Sequence, residues 1–232
     1  MVDLLEGIAT TRAIRRFRPD PVTDDDLATL LFAATRAPSG SNRQPFRFIV
    51  LRDGPRAREA RAVLGRTFRA AWDAKRAADR YDEGAGDSPK ARMARAMQSF
   101  VDSFEQVPVV ILVAALPWRQ LSFFEGASVY PACQNLLLAA RAIGLGGVLS
   151  MWQAMAQDEL RAVLGVPDRV VLAATVALGR PAGAHGPVRR RPLRELVYED
   201  GWGEAPAWAA DPPGTRFTSA GPGPRASHGR RP

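Results

Sequence analysis

The chain has 232 residues, 46% of them hydrophobic, and a net charge of +8; that is enough to bury one sizeable core, and the charge favours an anionic partner such as a phosphorylated cofactor or nucleic acid. A single cysteine, Cys133, excludes an internal disulfide and fits a reducing compartment. The first residues lack the basic start and apolar run of a signal peptide, and no stretch approaches membrane-spanning length, so a cytoplasmic protein with no membrane partner is expected.

A short first helix is expected near Val2 to Ala9, with Leu4, Leu5 and Ile8 as its apolar face. A non-helical basic segment follows, Thr10 to Phe17, and Pro19 and Pro21 keep the next residues extended. Thr23 reads as an N-cap, with Asp24, Asp25 and Asp26 in the first turn, where carboxylates suit the helix dipole. Leu27, Leu30, Leu31 and Ala34 give this helix one packed face, and Pro38, Ser39 and Gly40 stop it. Phe46 to Leu51 is a strand ended by Asp53-Gly54-Pro55.

From Arg56 to about Ala78 the pattern is helical and rich in Ala and Arg; Tyr81 to Lys90, with Gly84, Gly86 and Pro89, is a loop. A further helix runs to about Glu105. Val107 to Ala115 is almost wholly apolar, the mark of a strand inside a sheet covered on both faces. Pro117 to Gly126 is a loop carrying Trp118, Phe123 and Phe124. Ala127 to Ala142 is a helix apolar nearly all round, hence buried, and Gly144 caps its end. A short strand near Val148, a helix from Gln157 to Leu164 and a strand from Val170 to Leu178 follow. Helices alternating with strands on both sheet faces make a layered α+β or α/β domain, residues 1–202. Residues 203–232, rich in Pro, Gly and Ala, read as an arm that becomes a disordered tail.

The usual catalytic groups are missing. His185 lies in the Gly/Pro loop Pro181 to Pro187 and His228 in the tail; neither has a carboxylate or cysteine at ligand or triad spacing, so no metal is expected. Cys133, inside the apolar helix, reads as a core residue rather than a nucleophile. No P-loop or G-x-S-x-G occurs. A chain without strong chemistry of its own points to a cofactor that supplies it.

Three segments fit one. Thr11 to Phe17 offers guanidinium groups from non-helical backbone, suited to a phosphate. Ala37 to Phe46 offers hydroxyls and amides; Asn42 and Gln44 each carry a donor and an acceptor, matching the edge of a pyrimidine-like ring, or else satisfy the loop's own backbone. Gly144-Leu145-Gly146-Gly147 stops a helix, and its bare backbone also permits close approach to a flat ring. Arg189-Arg190-Arg191 adds positive charge near the end of the domain.

These segments, with Pro19-Asp20-Pro21-Val22, Gln134 to Ala140, Leu178-Gly179-Arg180-Pro181 and Arg190-Arg191-Pro192-Leu193, occur in an order that resembles the FMN-dependent nitroreductase family over about residues 5 to 202. The resemblance implies an α+β fold with a central mixed sheet flanked by helices, in a domain-entwined homodimer with FMN at the subunit interface. It implies an oxidoreductase that takes electrons from NAD(P)H and reduces a small nitroaromatic, quinone-like or other conjugated acceptor by a ping-pong mechanism, with no nucleic acid as partner. Arg12 and Arg190, with Arg191 beside it, would hold the phosphate, and Ala13 would lie at the same site. Arg15 would lie at the N1/O2 edge of the flavin and tune it rather than act as acid or base. Pro38, Ser39, Ser41, Asn42 and Gln44 would approach from the second subunit, and Gly146 and Gly147 would bring backbone N–H groups near N5. Phe123 and Phe124 would line a substrate channel, or serve as core. The sequence departs from the family pattern at Ala13, where serine is usual, at Phe46, where tryptophan is usual, and at Val148, where a small hydroxyl residue is common. Two alternatives stay open: a specialised flavin enzyme on the same scaffold (a dehalogenase, a flavin-fragmenting enzyme or a natural-product dehydrogenase), and a non-catalytic basic protein that binds flavin or another anion.

Overall fold

The structure, a computed structural model, describes residues 2–84, 86–118 and 123–213. The chain divides into two compact units, residues 1–185 and 186–232.

In the first unit, α1 (Leu4–Thr10) begins where the Asp3 carboxylate accepts from the N–H groups of Leu5 and Glu6. The chain then runs extended to α2 (Asp24–Thr35), which opens on a reciprocal capping box: the Thr23 hydroxyl accepts from Asp26 N–H, and the Asp26 carboxylate accepts from Thr23 N–H. Leu27, Leu30 and Ala34 are buried, as their spacing requires. Four strands, β1 (Phe46–Leu51), β2 (Val109–Ala115), β3 (Gly146–Ser150) and β4 (Val171–Gly179), make one sheet in the order β1-β2-β4-β3. All seven residues of β2 are buried, as its unbroken apolar run demands.

Every pairing among the described strands is antiparallel, not mixed as the family resemblance implies. The connections explain this. Two long helices, α3 (Pro55–Ala78) and α4 (Pro89–Asp102), lie between β1 and β2 and return the chain to the end it left. α5 (Phe123–Ala142) then carries it back across the sheet, so β2 and β3 run the same way, but β4 inserts between them after the short α6 (Gln157–Leu164). α5 begins at Phe123, four residues before the apolar pattern starts, and holds Pro131 inside it. Of the expected Pro117 to Gly126 loop, residues 123–126 are helical and residues 119–122 lie outside the described residues.

α2 and α5 cover one sheet face, burying Leu30, Ala132, Cys133 and Leu136 against Ile111, Val113 and Val176. α3, α4 and α6 cover the other, where Leu64, Phe68, Phe100 and Leu160 meet Val110, Leu112 and Leu172. Gly144 ends α5 at φ +80°, a conformation that suits glycine. None of the described helices is long and apolar enough to cross a membrane.

The described part of the second unit, residues 186–213, folds on itself. Leu193 N–H donates to the Asp211 carboxylate at 3.0 Å, and Trp208 Nε1 donates to Glu199 at 3.0 Å. The rings of Tyr198 and Trp202 lie 4.9 Å apart, and Ala209 is buried. Residues 214–232, most of the expected tail, lie outside the described residues.

Candidate cofactor site

The basic segment after α1 is held in extended form along the outer edge of β3. Ile14 N–H donates to the Gly147 carbonyl at 2.9 Å, Ala182 N–H to the Arg16 carbonyl at 2.9 Å and Arg18 N–H to the Arg180 carbonyl at 2.8 Å, while Phe17 bridges Pro181. These partners explain why Thr11 to Phe17 is not helical: its backbone is satisfied by the sheet edge. Gly146 makes that seat possible, and Gly147 the close pairing of β3 with β4. A Cβ on Gly146 would lie 2.7 Å from Ile14 Cγ1, and one on Gly147 would lie 2.7 Å from the Ala177 carbonyl oxygen. Both glycines are buried. The space beside Gly146 is filled by Ile14, Pro181 and His185.

Arg12 and Ala13 are exposed, whereas Arg15 is half-buried. Burial pushes the Arg15 guanidinium below its ordinary pKa; Tyr81 opposes the shift and Arg12 adds to it. Arg15 lines a cavity of about 440 Å³ together with Arg16, Arg18, Ser99, Ser103 and Gln106, and no acidic residue lines it. A guanidinium taken partly out of water costs free energy until an anionic or hydrogen-bonding partner meets it. Ser99, Ser103 and Gln106 are candidate contacts that carry no sequence motif; only the packing of α4 against the sheet brings them to Arg15.

Pro38 to Gln44 forms the second half of the candidate site. A 3₁₀ turn spans Gly40–Asn42, and Ser41, Asn42 and Gln44 all have positive φ, at 51°, 52° and 49°. Three left-handed non-glycine residues in four positions store strain on the order of 1 kcal/mol or more each, and such strain concentrates at functional loops. The loop is over-determined by its own bonds. Ser39 Oγ accepts from Gln44 N–H at 3.0 Å, Gln44 Nε2 reaches Asn42 Oδ1 at 3.3 Å, and Gly40 N–H donates to Ser128 Oγ on α5 at 3.1 Å. Arg43 lies over the Trp118 ring, 5.2 Å from its centroid. Pro38, Ser41, Asn42 and Gln44 are exposed, so the fixed loop holds amide and hydroxyl groups outward. Ser128 was not legible as a site residue, because nothing in its helix marks it as the partner of a loop 88 residues earlier.

These two halves do not meet within one chain. The loop precedes β1 at one edge of the sheet, level with Ala115, while the arginine segment flanks Gly147 at the opposite edge and the opposite strand end. Three strand spacings across and six residues along put them roughly 25 Å apart.

A third feature is a largely apolar cleft of about 630 Å³ between the first turns of α5 and the residues after β3, lined by Phe124, Tyr130, Met151, Gln153, Gln157 and Leu172 among others. Its floor is fixed: Gln153 and Gln157 both donate to the Leu172 carbonyl at 3.0 Å, and Gln153 also accepts from Thr175. Phe124 is exposed at its mouth. The side chain of Phe123 lies outside the described residues. In the second unit, Arg190 is exposed and donates to the Arg189 carbonyl at 2.9 Å, and Arg191 lies 3.7 Å from the Glu195 carboxylate. No group of His, Cys, Asp and Glu able to hold a metal occurs among the described residues. Cys133 is fully buried and its thiol is pushed up to about 11 by that burial, which removes it as a nucleophile.

The nitroreductase family model matches residues 8–180. The chain is 31% identical over 206 residues to an NADH dehydrogenase of Thermus thermophilus, covering 85% of this chain and 96% of that protein. A protein from Desulfovibrio desulfuricans solved in complex with FMN superposes with a TM-score of 0.62 at 28% identity, covering 88% of this chain and 99% of that one. The FMN and NADPH-dependent nitroreductase NfnB from Sphigopyxis sp. strain HMH shares the fold with a TM-score of 0.67 at 24% identity, covering 87% of this chain and all of its own.

Proposed function

The chain belongs to the nitroreductase family, and on that premise we propose that it works as a homodimer, each FMN lying between the two chains, to pass electrons from NAD(P)H to a small conjugated acceptor such as a nitroaromatic or a quinone. The observation that carries this reading is the separation of the two half-sites within one chain. A two-fold dimer brings the Arg15 edge of one chain to the Asn42 loop of the other, twice.

The residues fit the cofactor. Arg15 is a half-buried cation in a cavity with no acidic lining, as an electron-rich ring edge needs. Arg12, exposed on the same segment, takes the phosphate. Pro38, Ser39, Ser41, Asn42 and Gln44 present a fixed polar rim to the ring bound by the other chain. Gly146 leaves room for Ile14, whose N–H bonds the Gly147 carbonyl, and so helps place the backbone of Arg12, Ala13 and Arg15.

Bound FMN supplies the two-electron chemistry between nicotinamide and acceptor. The protein's part is electrostatic and steric. Arg15 places positive charge where negative charge grows on reduction, and so raises the potential. The apolar cleft of Phe124, Tyr130 and Met151 excludes water and selects flat, apolar molecules. Burial raises the Tyr130 hydroxyl above its ordinary pKa, so it stays protonated at neutral pH. Donor and acceptor use that cleft in turn.

The test is direct. Purified protein should be yellow, NADH or NADPH should bleach it without oxygen, and an added acceptor should restore the colour. Initial-rate plots should be parallel. Yellow protein that no nicotinamide bleaches would instead favour a flavin-binding module without this activity, and intersecting plots would show two separate sites.

A further inference from the structure

His185 ends the first unit, packed between α1, the end of α5 and the start of β3. Its Nε2 lies 3.2 Å from the Leu145 carbonyl oxygen, so in the neutral ring Nε2 carries the proton. Nδ1 is then a bare lone pair, and it is buried with no hydrogen-bond partner. Its Cε1 lies 3.2 Å from where a Gly146 Cβ would stand, which fixes the ring against the seat of the arginine segment. The Thr10 backbone also favours an added proton on the ring. Two carbonyls and no donor make a cradle for an imidazolium, not for an imidazole.

The charges nearby oppose that form. Arg141, from the last turn of α5, has a side chain only 15% exposed and donates from Nε to Thr10 Oγ1 at 2.9 Å. Glu6 of α1 lies 3.7 Å from it and is largely exposed. Arg12 adds a second positive charge from the basic segment. The Pro181–His185 loop contributes no other ionisable side chain. Burial and these two guanidinium groups hold the imidazole below its ordinary pKa. The hydrogen-bonding shell is thus built for a cation while the field rejects one. An anion bound at Arg12 resolves the conflict.

We propose that His185 takes up one proton from solvent when a phosphate docks against Arg12, and so becomes a positioning residue of the phosphate subsite. This rests on the assignment of Arg12 to the FMN phosphate. The dianion offsets the two guanidinium charges, the new Nδ1–H donates to the Thr10 carbonyl, and the ring then ties the end of α1 to the start of β3. Binding and protonation are linked, so FMN affinity gains up to about tenfold for each pH unit of fall between the bound and free titrations of His185.

The chain has two histidines, so its imidazole proton spectrum is simple. His228→Gln leaves a single imidazole resonance to follow, that of His185. In the flavin-free protein that resonance should titrate below the ordinary histidine range. FMN or inorganic phosphate should move it upward, whereas riboflavin, which lacks the phosphate, should leave it in place. His185→Gln should flatten the fall of the FMN Kd with falling pH relative to wild type, and the difference between the two slopes is the readout because the phosphate itself also titrates. If FMN binds and NAD(P)H reduces it while the His185 titration does not move, the proposal is overturned and the enzyme reading stands. If the chain binds no FMN, both are overturned.

Discussion

Gly146 and Gly147 are neighbours, yet their alanine variants should fail in different ways. At Gly147 the added methyl lands 2.7 Å from the Ala177 carbonyl oxygen. That oxygen belongs to β4, which β3 pairs along its whole length. Backbone in a sheet gives way poorly, so the strain falls on the fold, by about 1–3 kcal/mol as for other overpacked sites. At Gly146 the methyl meets side-chain atoms instead: Ile14 Cγ1 at 2.7 Å, Pro181 Cγ at 3.1 Å and His185 Cε1 at 3.2 Å. These can move, but Ile14 is bonded through its N–H to Gly147, and its shift carries Arg12 and Arg15 with it. Gly146→Ala should therefore cost less folding free energy than Gly147→Ala and more cofactor affinity. Loss of one charge-assisted hydrogen bond, about 1.5–3 kcal/mol, would raise the FMN Kd on the order of tenfold to a hundredfold. Urea denaturation of the flavin-free protein and flavin-fluorescence titration measure the two effects separately. Gly146→Ala with wild-type affinity for FMN, or Gly147→Ala with wild-type stability, would refute the reasoning.

Further outcomes follow from the same geometry. Arg15→Ala should lower the flavin potential and slow its reduction more than it weakens FMN binding, and Arg12→Ala should do the opposite; equal loss of FMN in both with unchanged potentials would rule out this division. Gly65→Ala would put a Cβ 2.0 Å from Glu105 Oε1 and drive that carboxylate from its two bonds to Arg69, at 2.7 and 3.1 Å. It should destabilise the chain by about 1–3 kcal/mol, and adding Glu105→Ala should restore part of the loss; a double variant no better than the single one would contradict this. Cys133, with its thiol pushed up to about 11, should resist alkylation at pH 8 in the native protein and react once it is unfolded, whereas fast native labelling would show the helix opening. His185 has a folded pKa below its unfolded one, so the unfolded chain binds the extra proton. The flavin-free protein should then lose stability as pH falls below the ordinary histidine value of about 6.5, and His185→Gln should remove that part of the loss.

Local signals were the most legible in the sequence. Thr23 with Asp26, the all-apolar β2 and the glycine after α5 each announce an element through contacts within a few residues. The start of α5 is not legible because Phe123 and Phe124, with Gly126 two residues on, carry no helical pattern of their own, yet the helix begins there. The sheet's antiparallel pairing depends on β4 inserting between β2 and β3, which no local pattern encodes. At the site, the basic segment and the Asn42 loop stood out as residue types. Their fixing bonds did not, because Ile14 to Gly147 and Gly40 to Ser128 span long stretches of chain. The glycines after α5 carry two meanings in sequence, a helix stop or close approach to a flat ring, and the position of Ile14 against Gly146 adds a packing role that no local pattern encodes.

The most direct test of a flavin site shared between two chains is subunit mixing. Arg15→Ala and Asn42→Ala should each impair every site in their own homodimers. Co-expressed, they form heterodimers in which one site carries both substitutions and the other carries neither. Random pairing should then restore about a quarter of the wild-type number of intact sites, and NAD(P)H oxidation in proportion. A mixture no more active than its parents, with heterodimers shown to be present, would contradict a site built from both chains.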